Sequence, residues 1–106
     1  MDKEIRAAIA NRRLLKFMYD GCFRIVEPHD YGILNGVVTL FCYQVEGQSR
    51  RGRLPDWRLF VLSKMSDADP TNEPFAGLRP VFGDHLVWDE IFASVSRPPF
   101  RRRCAA

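Results

Sequence analysis

The stretch Leu14–Val45, "LLKFMYDGCFRIVEPHDYGILNGVVTLFCYQV", decides the fold, because two turn signals interrupt an otherwise apolar and β-branched run. Asp20-Gly21 and Asn35-Gly36 are dipeptides typical of two-residue hairpin turns. The segments around them predict strands that follow one another in antiparallel order, with Pro28 ending the second strand or placing it at a sheet edge. The run 37–45 is the richest in β-branched and aromatic residues, so we expect it to be central and largely buried.

A helix is predicted on the N-terminal side of this stretch, over residues 3–13. Asp2 is a plausible N-cap, and Ile5, Ala8 and Ile9 recur at helical spacing. The basic pair Arg12 and Arg13 would lie at the end of the helix where the macrodipole favours cations.

Downstream of Val45, residues 46–56 lack periodicity and contain glycines, charges and a proline, which predicts a loop. The run "WRLFVLSKM", 57–65, predicts a further strand, and "SDADPTNEP", 66–74, predicts a turn. From Asp84 a second helix is expected, ended by Pro98 and Pro99. Its apolar stripe at helical spacing consists of Val87, Ile91, Phe92 and Val95.

These elements predict a mainly β protein with a helix at each end. About five strands are available, and an antiparallel sheet that curls into a small barrel would avoid unpaired edges. A chain of 106 residues fits one compact domain. We therefore expect a single domain over residues 1–96, followed by a flexible basic tail over 97–106.

The charge of the chain is unevenly distributed. The formal net charge is +3, yet four arginines lie in the last ten residues, and without them 12 basic residues face 13 acidic ones. The folded part is thus near neutral, and an anion preference must come from local clusters or from the tail. Ser49 to Arg58 is the one internal basic cluster.

Composition also bears on location and redox state. The chain contains no apolar run long enough to span a bilayer, and its N-terminus lacks the apolar centre of a signal peptide, which predicts a cytoplasmic protein without a membrane partner. Cys22, Cys42 and Cys104 match no zinc pattern or disulfide framework, so we expect reduced thiols.

The basic cluster is the strongest candidate site. Arginine binds phosphate through a planar fork of donors, and aromatic rings accept stacked bases regardless of sequence. If side chains from the earlier strands face the same mouth, the result is a concave anion site. Its candidate residues are Arg24, His29, Tyr43, Arg50, Arg51, Arg53, Trp57 and Arg58.

Plainer readings of the same residues remain open. The loop arginines could be a solvated surface, and Trp57 could belong to the core. Arg24 could form an ordinary ion pair with Glu27 or Glu46. The tail could contact phosphates or only keep the protein soluble.

Catalysis and metal binding are not expected. The histidines and cysteines are too scattered for a metal site, no phosphate-binding glycine loop is present, and no third group would orient a Cys-His pair. We thus predict no cofactor and a protein that is not an enzyme. The rival to ligand binding is a protein-interaction or homodimerisation module that docks through a sheet face or through the apolar stripe of the second helix.

The order of several segments resembles the WYL domain family of bacterial modules. These segments are "IRAAIANRRLLKFMY", "RIVEPH", an apolar strand, a basic loop and "RLFVLSKM". The family's Arg-x-x-x-Pro element falls on Arg24 and Pro28, and its closing Arg-x-Phe-Arg-Leu-Asp-Arg-Ile pattern falls on Arg58 to Met65. The resemblance covers Ile5 to about Met65.

This resemblance implies an Sm-like or SH3-like barrel. It also implies a regulatory role in transcription, DNA-damage response or phage defence. The expected ligand is single-stranded nucleic acid or a nucleotide-like anion, held in a basic and aromatic groove.

Overall fold

The computed structural model describes residues 1–47, 56–77, 79 and 86–102. The helix α1 spans Asp2–Asn11, and a 3-10 turn spans Leu62–Lys64. The strands are β1 (Arg13–Tyr19), β2 (Cys22–Leu34), β3 (Val37–Gly47), β4 (Asp56–Val61), β5 (Met65–Pro74), β6 (Trp88–Ser94) and β7 (Phe100–Arg101).

Both predicted hairpin turns are confirmed. Asp20 and Gly21 have φ values of 52° and 73°, and Asn35 and Gly36 have φ values of 51° and 78°. Positive φ at both central residues suits the twist of the flanking strands, which explains why these dipeptides fix the pairing of β1 with β2 and of β2 with β3.

In the described part of the chain, seven antiparallel strands form one sheet. Its main order is β4-β3-β2-β1-β5, and β6 pairs with both β2 and β7. The prediction of a mainly β protein with an N-terminal helix is confirmed, and β3 lies between β2 and β4 as expected. No pairing joins β4 to β5 among the described residues, so the sheet is not closed into a barrel.

The predicted C-terminal helix is wrong, because Trp88–Ser94 forms strand β6. The 13-residue β2 is almost twice as long as the 7-residue β1, which pairs only with its first half. β6 pairs with the second half, from Asp30 to Leu34, and so satisfies backbone groups that would otherwise form an open edge. Gly32 allows this approach, because a Cβ there would collide with the backbone of Glu90.

The segment 66–74, predicted as a turn, is also a strand. It forms most of β5 and pairs with β1, with irregularities in the ladder on both sides of Leu15. Pro70 and Pro74 are tolerated because β5 lies at the edge of the main sheet order, where a missing N–H leaves no neighbouring strand unpaired. The predicted strand 57–65 is divided by the 3-10 turn, which follows β4 and leads into β5.

The N-terminal helix is confirmed but is shorter than predicted at its end. It ends at Asn11, so Arg12 is the C-cap residue and Arg13 begins β1, and the basic pair does not lie in the last turn.

The predicted N-cap is also wrong. Asp2 does not cap α1, because the N-cap position is Met1 and no side chain caps the helix. Asp2 instead accepts a 2.7 Å hydrogen bond from the Tyr31 hydroxyl, which ties the first turn to β2. Ile5, Ala8 and Ile9 are buried as the helical spacing predicts.

Apolar residues pack on both faces of the sheet. The larger cluster includes the α1 stripe together with Leu15, Val26, Leu40 and Phe60. A smaller cluster on the other face contains Phe41, Trp88 and Ile91. Burying side chains of this size stabilises a fold by about 1.5–3 kcal/mol each, and β3 contributes to both clusters because its residues alternate between the faces.

The C-terminal segment is partly ordered by pairing. Phe100 pairs with Ile91 and Arg101 with Glu90, so these two residues of the predicted tail lie in the sheet. Residues 103–106 lie outside the described residues. None of the helices in the described ranges is long and apolar enough to cross a membrane.

Candidate anion-binding site

Strand alternation divides the predicted site residues between two faces of the sheet. Arg58 pairs with Cys42, whereas Trp57 pairs with Tyr43, so the two neighbouring residues point to opposite sides. We call the side with Arg24 and Arg58 the arginine face, and the side with Tyr43 and Trp57 the tryptophan face. The single groove predicted from sequence is therefore not formed by the described residues.

Arg24 is the most unusual residue of the arginine face. Its side chain is 6% exposed, and it lies over the rings of Phe60 and Tyr19, with Cζ at 5.4 and 5.8 Å from the ring centroids. One amino group donates a 3.3 Å hydrogen bond to Gln44 Oε1, while the buried Nε has no hydrogen-bond partner among the described residues. The alternative of an ion pair with Glu27 or Glu46 is not formed among the described residues, where Glu27 pairs with Arg79.

Arg58 approaches the same place from β4. It forms a 2.7 Å ion pair with the exposed Asp56, and this hydrogen bond lowers the pKa of that carboxyl group. Burial raises the pKa of the Cys42 thiol, and the positive charges of Arg58 and Arg24 oppose that rise. Both guanidinium groups thus act on one buried sulfur atom, and the two cations share the environment of Cys42.

The residues on either side of the basic segment 48–55 pair with Arg24 and with Gln44. Arg50, Arg51 and Arg53 lie outside the described residues, but both residues that flank the 48–55 segment are described. Gly47 pairs directly with Arg24, and Asp56 pairs with Gln44, the hydrogen-bond partner of Arg24. The three loop arginines are each within four residues of one of these two positions, and the segment 48–55 contains no acidic residue.

The tryptophan face joins three of the predicted residues in a packed aromatic cluster. Trp57 stacks on Phe41 with the ring centroids 4.8 Å apart, and it receives edge contacts from His29 at 4.8 Å and Tyr43 at 5.2 Å. Phe75 lies 5.8 Å from the His29 ring. Trp57 is consequently packed against other side chains on several sides, as the core interpretation anticipated.

Arg79 supplies the cation of this face. Its Nε and Nη2 donate hydrogen bonds of 2.5 and 2.9 Å to the two carboxylate oxygens of Glu27. Its Cζ lies 4.1 Å from the centroid of the Tyr43 ring, within the range of a cation–π contact. The bonds to Glu27 raise the pKa of Arg79, and the ring of Tyr43 is covered by a guanidinium group of the protein itself.

His29 lies at a β-bulge. The ladder between β2 and β3 passes from Pro28–Cys42 to Asp30–Phe41, which leaves His29 as the extra residue. Its side chain is 2% exposed, and Nε2 lies 3.6 Å from Glu27 Oε1 without a hydrogen-bond partner in the described ranges. Burial lowers the pKa of His29, and the neighbouring Glu27 carboxylate opposes that effect.

Sequence reasoning missed Arg79, Glu27 and Gln44 as members of these two environments. Arg79 lies in the irregular run "FAGLRPVF", whose spatial position has no local signal. Glu27 was considered only as a partner of Arg24, yet the two residues are three apart on a strand and point to opposite faces. Gln44 could have been found by noting that it shares a strand face with Cys42.

The apolar stripe proposed for a partner is largely covered. Ile91 belongs to the smaller core cluster, and Phe92 and Val95 pack against the larger one, while Val87 is exposed. A metal site is likewise not formed within the described ranges, where no three of the histidine, cysteine, aspartate and glutamate side chains lie together.

Comparisons with other proteins do not assign the chain to a family: no protein-family model, curated protein or solved structure matches it. The resemblance to WYL domains therefore stays a prediction.

Proposed function

We propose that this protein is a non-catalytic binding module for a phosphate-bearing anion, either a nucleotide-like ligand or the backbone of a single-stranded nucleic acid. The ligand binds at the arginine face, between Arg24 and Arg58. The observation that supports this most directly is the burial of the Arg24 cation without a carboxylate partner among the described residues.

Burying a charged group is unfavourable unless hydrogen bonds and an opposite charge compensate it. Arg24 has one long hydrogen bond, to Gln44, and two ring contacts, none of which supplies a negative charge. A bound phosphate would supply both the charge and acceptors for the free Nε. This is the physical reason for placing the ligand here.

The proposed site contains fewer residues than the site predicted from sequence. Tyr43, Trp57 and His29 lie on the tryptophan face, so they are not part of the proposed site. Phosphate contacts then dominate over base stacking, and the ligand class is defined by its negative charge.

The proposal includes the curvature of the sheet. In a flat sheet β4 and β1 would be three strand spacings apart, about 14 Å. Yet the rings of Phe17 and Phe60 are 4.9 Å apart, and Val61 N donates a 3.3 Å hydrogen bond to the Tyr19 hydroxyl. Such curling supports the proposal of an SH3-like architecture, as the WYL resemblance implies, in which the sheet bends toward a barrel but is left open between β4 and β5 in the described residues.

From that resemblance we further propose a cytoplasmic regulatory role in transcription, DNA-damage response or phage defence. The proposal of a non-catalytic module is supported by Cys42, whose buried thiol has a raised pKa and is therefore a poor nucleophile. The alternative function is docking of a protein partner or of a second copy. The sequence supported it mainly through the apolar stripe, and that stripe packs within the sheet.

The test is fluorescence anisotropy with a labelled oligothymidine, a labelled duplex and a labelled nucleoside triphosphate, at about 50 mM and about 200 mM salt. We expect binding of the single strand or the nucleotide that weakens with salt and that Arg24→Met removes. Arg13→Met is the matched control, because Arg13 donates to the Asn72 carbonyl and begins β1, four residues before Phe17, the residue that pairs with Arg24.

Binding that survives both Arg24→Met and Arg58→Ala would refute the site. A blank result for all three probes, together with a concentration-dependent mass in light scattering, would favour the dimerisation rival.

A further inference from the structure

The tryptophan face contains a second group of polar residues that the proposed function does not use. Glu27 lies at its centre, with the Tyr43 ring on one side and the His29 imidazole at 3.6 Å from its Oε1. Arg79 fills the space between the carboxylate and the tyrosine ring. The arrangement matches what a guanidinium group requires, namely a planar pair of acceptors and an aromatic surface.

The two partners of this ion pair differ in how firmly the fold holds them. The Glu27 side chain is 8% exposed and belongs to β2, which at this position pairs with β3 through Tyr43. The Arg79 side chain is 42% exposed, and the described residues around it, 75–77 and 79, form no helix or strand. The carboxylate is therefore a fixed receptor, whereas the cation reaches it from an irregular segment.

His29 provides an alternative partner for the carboxylate. Its Nε2 is buried, has no hydrogen-bond partner in the described part of the chain, and lies 3.6 Å from Glu27 Oε1. A small rotation of either side chain would let the imidazole donate to Glu27. Departure of Arg79 would then leave the buried carboxylate with one hydrogen bond instead of none, which reduces the cost of exchange.

We propose that Glu27, Tyr43 and His29 form a binding site for an arginine side chain, occupied internally by Arg79 and able to exchange it for an arginine of a partner protein. The inference is independent of the anion site, because the two sites lie on opposite faces of the sheet. An arginine-bearing segment is the indicated partner, since lysine cannot make the bidentate contact to Glu27 or cover the Tyr43 ring as a plane.

The experiment removes the internal ligand and supplies an external one. Wild type, Arg79→Ala and Glu27→Gln/Arg79→Ala are titrated with N-acetyl-arginine-methylamide and with the lysine analogue. The readout is the indole N–H signal of Trp57 in an NMR spectrum, assigned with Trp57→Phe. Arg13→Ala serves as the matched control for loss of an arginine elsewhere on the sheet.

We expect Arg79→Ala to bind the arginine compound at least about tenfold more tightly than wild type, because an internal ligand that fills the site most of the time lowers the apparent affinity by that factor. The lysine compound should bind more weakly to Arg79→Ala, and the double variant should bind neither. Wild type should show the same signal shift at higher concentrations, since Arg79 is exchanged and not permanently fixed.

Equal binding of the arginine and lysine compounds, or no saturable binding to Arg79→Ala, would overturn the site. Wild type that never reaches the shifted state would overturn the exchange. If Arg79→Ala does not fold, the arginine compound should restore its folded spectrum and the lysine compound should not. Failure of the arginine compound to restore folding in both Arg79→Ala and Arg79→Gln would also count against the site. Oligonucleotide binding by the same variants should be unchanged, which separates this outcome from the anion proposal.

Discussion

Arg24 and Arg79 make an instructive pair, because each places a guanidinium group against aromatic rings on the same small sheet. Arg79 is partly exposed and has a buried carboxylate as its bidentate partner. Arg24 is almost fully buried, and its polar contact within the described residues is a neutral amide. The first cation is therefore held by the protein's own charge, whereas the second is in a position to receive a negative charge from outside.

The largest expected effect is the loss of stability when Arg79 is replaced. Arg79→Met would leave the Glu27 carboxylate buried without a cation and should lower the free energy of unfolding by about 3 kcal/mol. Glu27→Gln should cost only about 1 kcal/mol, because the half-exposed Arg79 can turn to water. Urea unfolding of both variants measures this asymmetry, and equal losses would show that the carboxylate is not the buried partner that limits the pair.

Arg24→Met should reduce anion binding without the large loss of stability expected for Arg79→Met. The substitution removes a buried cation while keeping most of the side-chain volume, so the free energy of unfolding should stay within about 1 kcal/mol of wild type or rise. Anion binding should meanwhile fall at least about tenfold. Parallel urea unfolding and anisotropy measurements test both parts. A loss of stability as large as that of Arg79→Met would indicate that Arg24 is a structural residue.

His29 should make stability depend on pH on the tryptophan face. Burial keeps its folded-state pKa below the ordinary value of 6.5, so the unfolded chain takes up a proton that the folded protein resists. The contribution of His29 is complete above about pH 6.5 and decreases as the pH falls toward the folded-state pKa, by at most about 1.4 kcal/mol per pH unit.

Unfolding free energies between pH 7 and pH 5 measure this slope, which His29→Gln should flatten. His85→Gln is the control, because it removes the other histidine of the chain. An unchanged slope in His29→Gln would show that His29 does not cause the pH dependence.

The smallest effect is expected at Arg58. Its ion pair with the exposed Asp56 contributes little, so Arg58→Ala should change the unfolding free energy by less than about 1 kcal/mol. If Arg58 contacts one phosphate, the slope of log K against log salt for the single strand should become less steep by about 0.7. The same slope in wild type and variant would remove Arg58 from the site while leaving Arg24 in it.

The hairpins could be predicted because their information is local. Asp20-Gly21 and Asn35-Gly36 determine turn geometry within two residues, and the runs around them have clear strand character. Strand β6 could not be predicted in this way, because Ile91, Phe92 and Val95 also fit helical spacing. Its conformation is decided by the open second half of β2, which is distant in sequence.

Part of the candidate site could also be predicted from local sequence. Arg24 and Arg58 were singled out as cations within strands, and the charges of both act on the Cys42 thiol. Their separation from Trp57 follows from strand alternation, which was available in the sequence. The pairing of Glu27 with Arg79 was not available, because it joins residues 52 positions apart through a segment without periodicity.

The bulge at His29 also determines which side of the sheet each later residue of β2 occupies. Glu27 pairs with Tyr43 before it and Tyr31 pairs with Leu40 after it, so two residues four apart face opposite ways. Deleting His29 would remove the bulge and join the two parts of the ladder directly, so Tyr31 would still pair with Leu40 and could keep its hydrogen bond to Asp2. The extra residue thus adds the His29 ring to the cluster around Trp57, while the residues of β3 keep their alternation on both sides of the bulge.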